Sequence, residues 1–393
     1  MTDKTYTPWN RFCTWMGLAG LVFGAFCGGA TASGTYATTH FAKFGGGWML
    51  IFVLMYIITM ALACTLGLNV VKAYNVTEYN QFYLALYGLQ GPDANPALKK
   101  GVTILFDAYT ILKGIAAVAG AMALMGTLGQ SMLGLNTQLA AFLSALLFAV
   151  LCISGGSFLR KFNTAITVAL LASLLAIMGV VCAQRGDVLA GLLTDFETGL
   201  DWSGVSLGAG IFGVAAYCFN VGSWGATLSS YSERVRDSKD VVGAGITIGV
   251  VVASLFFITS CIVLPYLPQE LNSTPILNIV TNYIGNPILL VIYWAVMLFS
   301  AVSTGPAFGF SITARFEKMW KSTSVSLTVK RFVISLIYMM LCWLISNIGL
   351  TRIVSIILGA TGTISAVIIW IPLFIAIPRV NRLRREQKAA GLG

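Results

Sequence analysis

Long runs of apolar residues, separated by short polar and charged segments, dominate the pattern along the chain. A helix that crosses a bilayer needs about 20 mostly apolar residues. Stretches of that kind cover about 13–34, 47–71, 101–133, 137–155, 163–183, 207–228, 241–265, 287–311, 332–348 and 353–377. The pattern therefore predicts an all-α integral membrane protein with ten transmembrane helices.

The composition supports this prediction. Of 393 residues, 57% are hydrophobic and 10% are charged, against about 25% charged residues in an ordinary soluble chain. The mean hydropathy is +0.84, which leaves too little polar surface for a soluble enzyme, a secreted domain or a disordered regulator. The net charge of +10 comes from short basic clusters between apolar runs, so it indicates membrane topology and not nucleic-acid binding.

The basic residues also predict the orientation. If the N-terminus is cytoplasmic, twenty of the 24 Lys and Arg residues lie on the cytoplasmic side. Lys43, Arg185 and Arg352 lie on the other side, and Lys113 lies inside a span. We therefore expect a multi-pass protein of the inner (plasma) membrane with both termini cytoplasmic. Residues 379–393 form a basic tail suited to anionic lipid headgroups. "Inner" and "outer" below denote these predicted sides.

Two spans are interrupted at their centres by glycine and small polar residues, in Gly24–Gly34 and Gly213–Gly225. They begin half a chain apart, and five spans in each half make the halves run in opposite directions. This predicts one transmembrane domain with inverted repeats at about 11–184 and 205–378, and discontinuous first and sixth helices. Broken backbone leaves N–H and C=O groups for a ligand, which is typical of secondary transporters. The alternative is close helix packing by small residues.

Oxygen-bearing side chains cluster in the eighth span. Ser303 and Thr304 follow Ser300 by one helical turn, so the Ser300 carbonyl and two hydroxyls can converge. Such a set of oxygens suits a hard cation such as sodium. Alternatively, the hydroxyls bond back to their own helix. On the outer side, apolar residues at helical spacing in 275–283 predict an amphipathic lid or a capping segment.

Asp107 and Lys113 are ionisable residues within the third span, about 10 Å and 20 Å from its start at 1.5 Å per residue. Intramembrane charges are costly and thereby indicate function. Lys113 can hold a substrate carboxylate, or act as a coupling group by losing its proton; alternatively it extends along the helix to the inner edge. Asp107 is either a coupling candidate or a solvated residue bonded to Thr110.

Enzymatic activity is not expected. An intramembrane enzyme needs convergent acids, metal ligands or a nucleophile with its base, whereas the eight cysteines lie singly and His40 is the single histidine. A channel usually has a pore-lining repeat or a charged ring, and neither pattern occurs in the sequence. A membrane sensor on a transporter fold stays open as an alternative.

Short motifs in order along the chain resemble those of the amino acid, polyamine and organocation (APC) superfamily, which has the LeuT fold, and more narrowly those of the YkvI-type membrane proteins. They are Gly28–Gly34, Tyr217–Asn220, Ser232–Asp237, and Ser303–Gly305 followed by Ala314–Arg315. Tyr36 stands where an acidic residue commonly follows the first motif, and Phe219 splits the usual Tyr-Asn pair.

The resemblance implies a sodium-coupled symporter that imports a small polar or zwitterionic solute, such as an amino acid, by alternating access. It implies a sodium site formed by carbonyls and hydroxyls of Gly24, Cys27, Ser300, Ser303 and Thr304. The expected substrate site comprises Gly28, Gly29, Ala30, Thr31, Ser33, Lys113, Tyr217, Phe219 and Asn220. The alternative is a proton-coupled carrier or exchanger that uses Lys113 or Asp107. We expect no cofactor besides the coupling ion, and no nucleic-acid partner.

Overall fold

The computed structural model describes residues 7–26, 28–153, 156–204, 206–229, 235–271, 274–320 and 325–389. Within these ranges the chain is helical, with connecting turns and no strand. The α-helices of the first half are α1 (Pro8–Phe26), α2 (Gly29–Ala32), α3 (Thr35–His40), α4 (Gly46–Tyr74), α5 (Tyr79–Leu86), α6 (Pro96–Leu133), α7 (Thr137–Leu151), α8 (Gly156–Leu193) and α9 (Thr198–Ser203).

The second half repeats this alternation of long and short helices. Its α-helices are α10 (Leu207–Phe219), α11 (Trp224–Leu228), α12 (Ser238–Val263), α13 (Pro275–Asn278), α14 (Pro287–Met319), α15 (Leu327–Ser346), α16 (Leu350–Arg352), α17 (Leu358–Ser365) and α18 (Ile371–Ala389). A 3-10 turn, Asn220–Ser223, joins α10 to α11. π-Helical turns at Ile353–Ile357 and Ala366–Trp370 flank α17.

Eight helical stretches in the described part of the chain are long and apolar enough to cross a membrane. Large apolar side chains remain exposed on them; Ile288 and Ile375, for example, are each 71% exposed. Such a surface suits lipid, so the fold is that of an all-α integral membrane protein. The other two predicted spans correspond to α1, with 19 residues, and α7, with 15, and the count of ten spans stays a prediction.

The first interrupted segment is broken as the glycines predict. α1 ends at Phe26, and Gly28 has extended backbone (φ −74°, ψ 156°) before α2 begins. α2 ends at Ala32, and Gly34, two residues farther on, adopts φ +85°. A side chain at Gly34 would be strained at that φ and would also meet Pro275 and Ile276. Cys27, at the break, lies outside the described residues.

The sixth predicted helix is interrupted in a different way. The backbone stays right-handed from Phe219 to Trp224 but tightens into the 3-10 turn. A 3-10 turn changes the spacing of the backbone hydrogen bonds and frees carbonyls for other donors. Gly222 lets this turn lie against α17 and the π-helical turn after it, because a Cβ there would lie 2.8 Å from Trp370 Nε1 and 3.0 Å from Ser365 Oγ.

The long helices pack in two groups. In one, α12 lies along both α1 and α4, and α11 crosses α4. In the other, α6, α7, α14 and α15 contact each other. The second, third and fourth long helices of one half therefore pack on their counterparts in the other half: α4 on α12, α6 on α14, and α7 on α15. This pairing fits two inverted halves.

The predicted lid lies over the first break. It comprises α13 and a π-helical turn, Ile279–Ile284. The Ile276 N–H donates to the Ser33 carbonyl at 3.1 Å, just beyond α2. From α14, the Tyr293 hydroxyl donates to the Ala32 carbonyl at 2.7 Å. These bonds fix the outer end of the broken segment.

The predicted basic tail continues α18 as helix to Ala389. Arg379 Nη2 donates to the carbonyls of Ala85 and Leu86 at 2.7 Å and 2.9 Å, at the C-terminal end of α5. A guanidinium is well placed there because the last carbonyls of a helix lack intrahelical partners. Farther along, Gln387 Nε2 donates to the Ala73 carbonyl at 2.9 Å, so this segment packs on α4 and α5.

Candidate substrate cavity and its two ends

A cavity of about 420 Å³ lies between the two interrupted helices and α4, α5, α6 and α14. The predicted substrate residues that line it are Gly28, Gly29, Ala30, Thr31, Lys113, Tyr217 and Asn220. They come from segments up to half a chain apart, so the fold brings most of the predicted set together.

Two predicted substrate residues lie outside this lining. Ser33 is fully buried, and its hydroxyl donates to the Ala30 carbonyl at 2.8 Å and lies 2.7 Å from Thr35 Oγ1. Phe219 packs against Trp370, with ring centroids 5.6 Å apart. The hydroxyl therefore stabilises the turn after α2, and the aromatic ring packs between helices instead of covering the cavity.

Lys113 is bonded to the 3-10 turn of the sixth helix. Its Nζ donates to the Asn220 carbonyl at 3.1 Å and to Ser223 Oγ at 2.7 Å. The side chain therefore reaches across the cavity wall and does not extend to the inner edge. No carboxylate lines the cavity within the described ranges, so this ammonium gives the cavity a positive charge.

Buried polar atoms of the lining that lack a hydrogen-bond partner in the described part of the chain include Asn220 Oδ1, Tyr56 Oη and Tyr217 Oη. The Asn220 amide nitrogen is held in place, since it donates to Thr361 Oγ1 at 3.0 Å and to the Leu358 carbonyl at 3.2 Å. Buried polar groups usually have partners. These three oxygens are therefore candidate contacts for a ligand.

Aromatic rings form much of the remaining wall. Phe26 lies 5.0 Å from Trp224 between ring centroids, and Tyr36 lies 5.8 Å from Tyr217. Tyr56 lies 5.9 Å from Tyr217, nearly parallel to it. Such walls suit a ligand with an apolar body, whereas the polar contacts are few and fixed.

The inner end contains residues that the sequence prediction missed. Tyr79 and Tyr83, four residues apart on α5, line the cavity from a segment that lies between two predicted spans. Their spacing places them on one helix face, and that spacing was the available signal. Tyr79 Oη lies 3.0 Å from Thr110 Oγ1 and donates to Asp107 Oδ1 at 3.5 Å. Asp107 itself does not line the cavity.

Of the predicted sodium ligands, Ser300 and Thr304 lie one turn apart on α14. Thr304 lines the cavity beside Gly28, where a Cβ would lie 3.2 Å from Thr304 Oγ1. Thr304 Oγ1 donates to the Ser300 carbonyl at 2.9 Å, which is the bond within one helix that the sequence left as an alternative. A Cβ on Gly24 would lie 3.5 Å from Thr167 Oγ1 of α8. Cys27 and the Ser303 side chain lie outside what the structure describes.

The outer end of the cavity is closed by two stacked rings. The His40 imidazole lies 4.1 Å from the Tyr217 ring, centroid to centroid, with an angle of 11° between the planes. His40 is 5% exposed and borders a second cavity on the outer side. The stacked pair therefore separates the two cavities.

An ionic contact joins α1 to the start of α12. The Arg11 guanidinium donates to both carboxylate oxygens of Asp237, at 3.0 Å and 2.7 Å, and to Asp240 at 3.4 Å. This hydrogen bonding holds the pKa of Asp237 below its ordinary value of 3.8. Trp15 Nε1 also donates to Asp240, at 3.2 Å. The base of the first helix is thus attached to the seventh predicted span.

The architecture is that of the LeuT-fold transporters. The chain is similar to MhsT, in its crystal structure with L-phenylalanine, with a TM-score of 0.55, 14% identity, and coverage of 88% of this chain and 87% of MhsT. It is also similar to the Eremococcus coleocola manganese transporter, in complex with an aromatic bis-isothiourea substituted compound, with a TM-score of 0.52, 16% identity, and coverage of 96% and 80%.

A third similar structure is the inward-facing conformation of Mhp1, with a TM-score of 0.52, 15% identity, and coverage of 88% of this chain and 74% of Mhp1. At these identities the likeness concerns the fold. No protein-family model and no curated protein sequence matches the chain.

Proposed function

We propose that the protein is a secondary active symporter that imports a small solute with a carboxylate group, an amino acid or related compound, by alternating access. The observation that carries this proposal is the Lys113 ammonium, held at the 3-10 turn of the sixth helix in a cavity without a lining carboxylate among the described residues. A single cation among aromatic walls favours a solute with a carboxylate and an apolar body.

The remaining contacts support a zwitterion over a simple acid. The buried oxygens of Asn220, Tyr56 and Tyr217 lack partners in the described part of the chain and can accept hydrogen bonds from a substrate amine. The amides of Gly29 and Ala30 precede the first hydrogen bonds within α2, which run from Thr31 and Ala32 to the Gly28 carbonyl. They are available for polar substrate atoms.

Sodium is the proposed coupling ion, at the contact of the first and eighth helices. The proximity of Thr304 Oγ1 to both Gly28 and the Ser300 carbonyl supports this location, because sodium prefers several oxygen ligands. The proposed ligands are Gly24, Cys27, Ser300, Ser303 and Thr304. A cation there would contact α1, which packs in the first helix group, and α14, which packs in the second. Its binding would therefore favour one arrangement of the two groups, which couples the ion to alternating access.

The first experiment measures the melting midpoint of the purified protein across a library of amino acids and related acids, with sodium or potassium. A ligand that binds the folded state raises the midpoint. We expect a carboxylate-bearing solute to raise it more strongly in sodium. Solutes that bind are then tested for uptake into proteoliposomes, where an imposed sodium gradient should drive accumulation. If neither a sodium nor a proton gradient drives uptake of any binding solute, the proposal is wrong.

Proton coupling is the second candidate, because Lys113 lies in the cavity and lysines in such places readily exchange a proton. The two candidates differ in one measurement. A sodium symporter accumulates solute with equal pH on both sides, whereas a proton-coupled carrier needs a pH gradient and ignores sodium. The Lys113→Met variant should abolish proton-driven uptake.

A further inference from the structure

A second cavity, of about 270 Å³, lies on the outer side of the His40–Tyr217 pair. Its walls come from α3, the turn after α3, the first part of α10, and the segment around α17. The polar side chains of the lining are Thr39, His40, Lys43, Ser355 and Thr363, and no acidic residue belongs to it within the described ranges. No described residue of the proposed substrate and sodium sites lines this cavity.

Lys43 supplies the charge of this cavity. It is partly buried, and its Nζ lies 4.9 Å from the centroid of the Phe44 ring. Among the described side chains no carboxylate forms an ion pair with it. The nearby segment 195–203 includes Asp195, whose carboxylate accepts hydrogen bonds from the N–H groups of Glu197 and Thr198. Burial lowers the pKa of Lys43, because a buried cation loses part of its hydration.

Two further polar groups of the lining are buried. Thr39 is 9% exposed and His40 is 5% exposed. Thr39 Oγ1 and His40 Nε2 have no hydrogen-bond partner in the part of the chain that the structure describes. A buried polar atom without a partner carries a desolvation penalty. A ligand that accepts a hydrogen bond from the Thr39 hydroxyl would remove this penalty at Thr39, whereas the N–H of the neutral His40 ring already bonds to the Val354 backbone.

We propose that the outer cavity is a binding site for a small monovalent anion. The Lys43 ammonium neutralises its charge, and the Thr39 hydroxyl donates a hydrogen bond to it. Apolar residues of α10, such as Val214 and Ala216, border the cavity and limit the water that would compete for the anion. Chloride and the carboxylate of a small organic acid share this chemistry.

The test measures binding on the full-length protein in detergent, without transport. The protein is kept in choline gluconate as the reference salt, because gluconate is much larger than chloride or acetate. Choline chloride or choline acetate then replaces the gluconate at constant ionic strength and pH, and the melting midpoint is recorded. We expect a saturable rise. A rise with chloride alone identifies an inorganic-anion site, and a rise with acetate alone identifies a carboxylate site.

Variants locate the response in the cavity. Lys43→Gln should weaken the apparent anion affinity by at least about tenfold, since it removes a charge-assisted contact, and Lys43→Arg should retain the response. Thr39→Val, which keeps the side-chain shape, should weaken it by a smaller factor. Lys100→Gln is the matched control, because Lys100 is exposed at the start of α6 and should leave the response unchanged.

Two results would overturn the proposal. One is a midpoint that neither chloride nor acetate changes in the wild-type protein. The other is an undiminished response in both Lys43→Gln and Thr39→Val, which would indicate a general effect of anions on the protein. The Lys113→Met variant should keep the anion response, so failure of the transport proposal and failure of this one remain distinguishable.

Discussion

The Nζ atom of Lys113 lies 2.7 Å from the hydroxyl oxygen of Ser223. This bond joins the third predicted span to the turn that interrupts the sixth. The same ammonium group donates a second hydrogen bond to the Asn220 carbonyl, at 3.1 Å. A cation fixed in this way is oriented before the substrate arrives, which reduces the entropy lost on binding.

Removing the Lys113 ammonium should therefore abolish uptake without unfolding the protein. We expect Lys113→Ala to lose transport and Lys113→Arg not to restore it fully, because the planar guanidinium cannot reproduce both bonds. The measurement is uptake into proteoliposomes, with monodispersity and melting midpoint as controls for folding. Wild-type uptake by Lys113→Ala would exclude both proposed roles of this residue.

Ser223→Ala should act through Lys113 and have a smaller effect. A hydrogen bond to a charged group contributes about 1.5–3 kcal/mol, which corresponds to roughly a 10- to 100-fold weaker apparent substrate affinity at 1.4 kcal/mol per factor of ten. The loss should be confined to solutes with a carboxylate. An equal loss for all solutes would indicate a general structural defect instead.

The eighth-helix hydroxyls should determine the sodium response. We expect the double variant Ser303→Ala and Thr304→Ala to raise the sodium concentration for half-maximal uptake at least about tenfold while solute selectivity changes little, because oxygen ligands hold the ion. Thr127→Val is the control, since Thr127 Oγ1 also donates to its own helix, at Ala123, but lies outside the cavity lining. Unchanged sodium stimulation in the double variant would move the ion site elsewhere.

Gly362 is needed for the contact between α17 and α10. A Cβ at this position would overlap the carbonyl oxygen of Ala216, whereas a Cβ at Gly359, in the same helix, meets nothing within 4 Å. Overpacking of this kind typically costs about 1–3 kcal/mol. Gly362→Ala should therefore lower the melting midpoint measurably, and Gly359→Ala should not. Equal midpoints for the two variants would contradict the close approach of α17 and α10 at this crossing.

The Arg11–Asp237 pair predicts a pH dependence of stability. Because the folded state holds the pKa of Asp237 below 3.8, the pair stabilises the protein above that pH, and the stabilisation is lost as the pH falls through the lowered value. The effect should be small, about 1 kcal/mol or less, because the Asp237 side chain is 43% exposed and water screens such pairs.

The measurement is the melting midpoint of wild type and Asp237→Asn between neutral and acidic pH. The midpoint difference should be present at neutral pH and vanish in acid. Glu386→Gln is the control, since the Arg382–Glu386 pair is longer, at 3.7 Å, and both side chains are more than 60% exposed. A difference that persists unchanged in acid would argue against an ionic role for Asp237.

Local properties of the chain are enough to establish the membrane class, the helical fold and the first break. These properties are the length of the apolar runs and the φ that only glycine adopts without strain at Gly34. Lys113 could also be identified from the sequence, because a charge inside an apolar span is conspicuous whatever surrounds it.

What each of these residues contacts depends on the tertiary structure. Ser33 and Phe219 stand within the motifs, yet the Ser33 hydroxyl bonds within its own turn and the Phe219 ring packs against Trp370. Tyr79 and Tyr83, in contrast, reach the cavity from a helix that the apolar runs did not include. The stacking of His40 on Tyr217 and the second cavity join segments more than a hundred residues apart. Which faces of two helices meet depends on how all the helices pack, and no local pattern of residues contains that information.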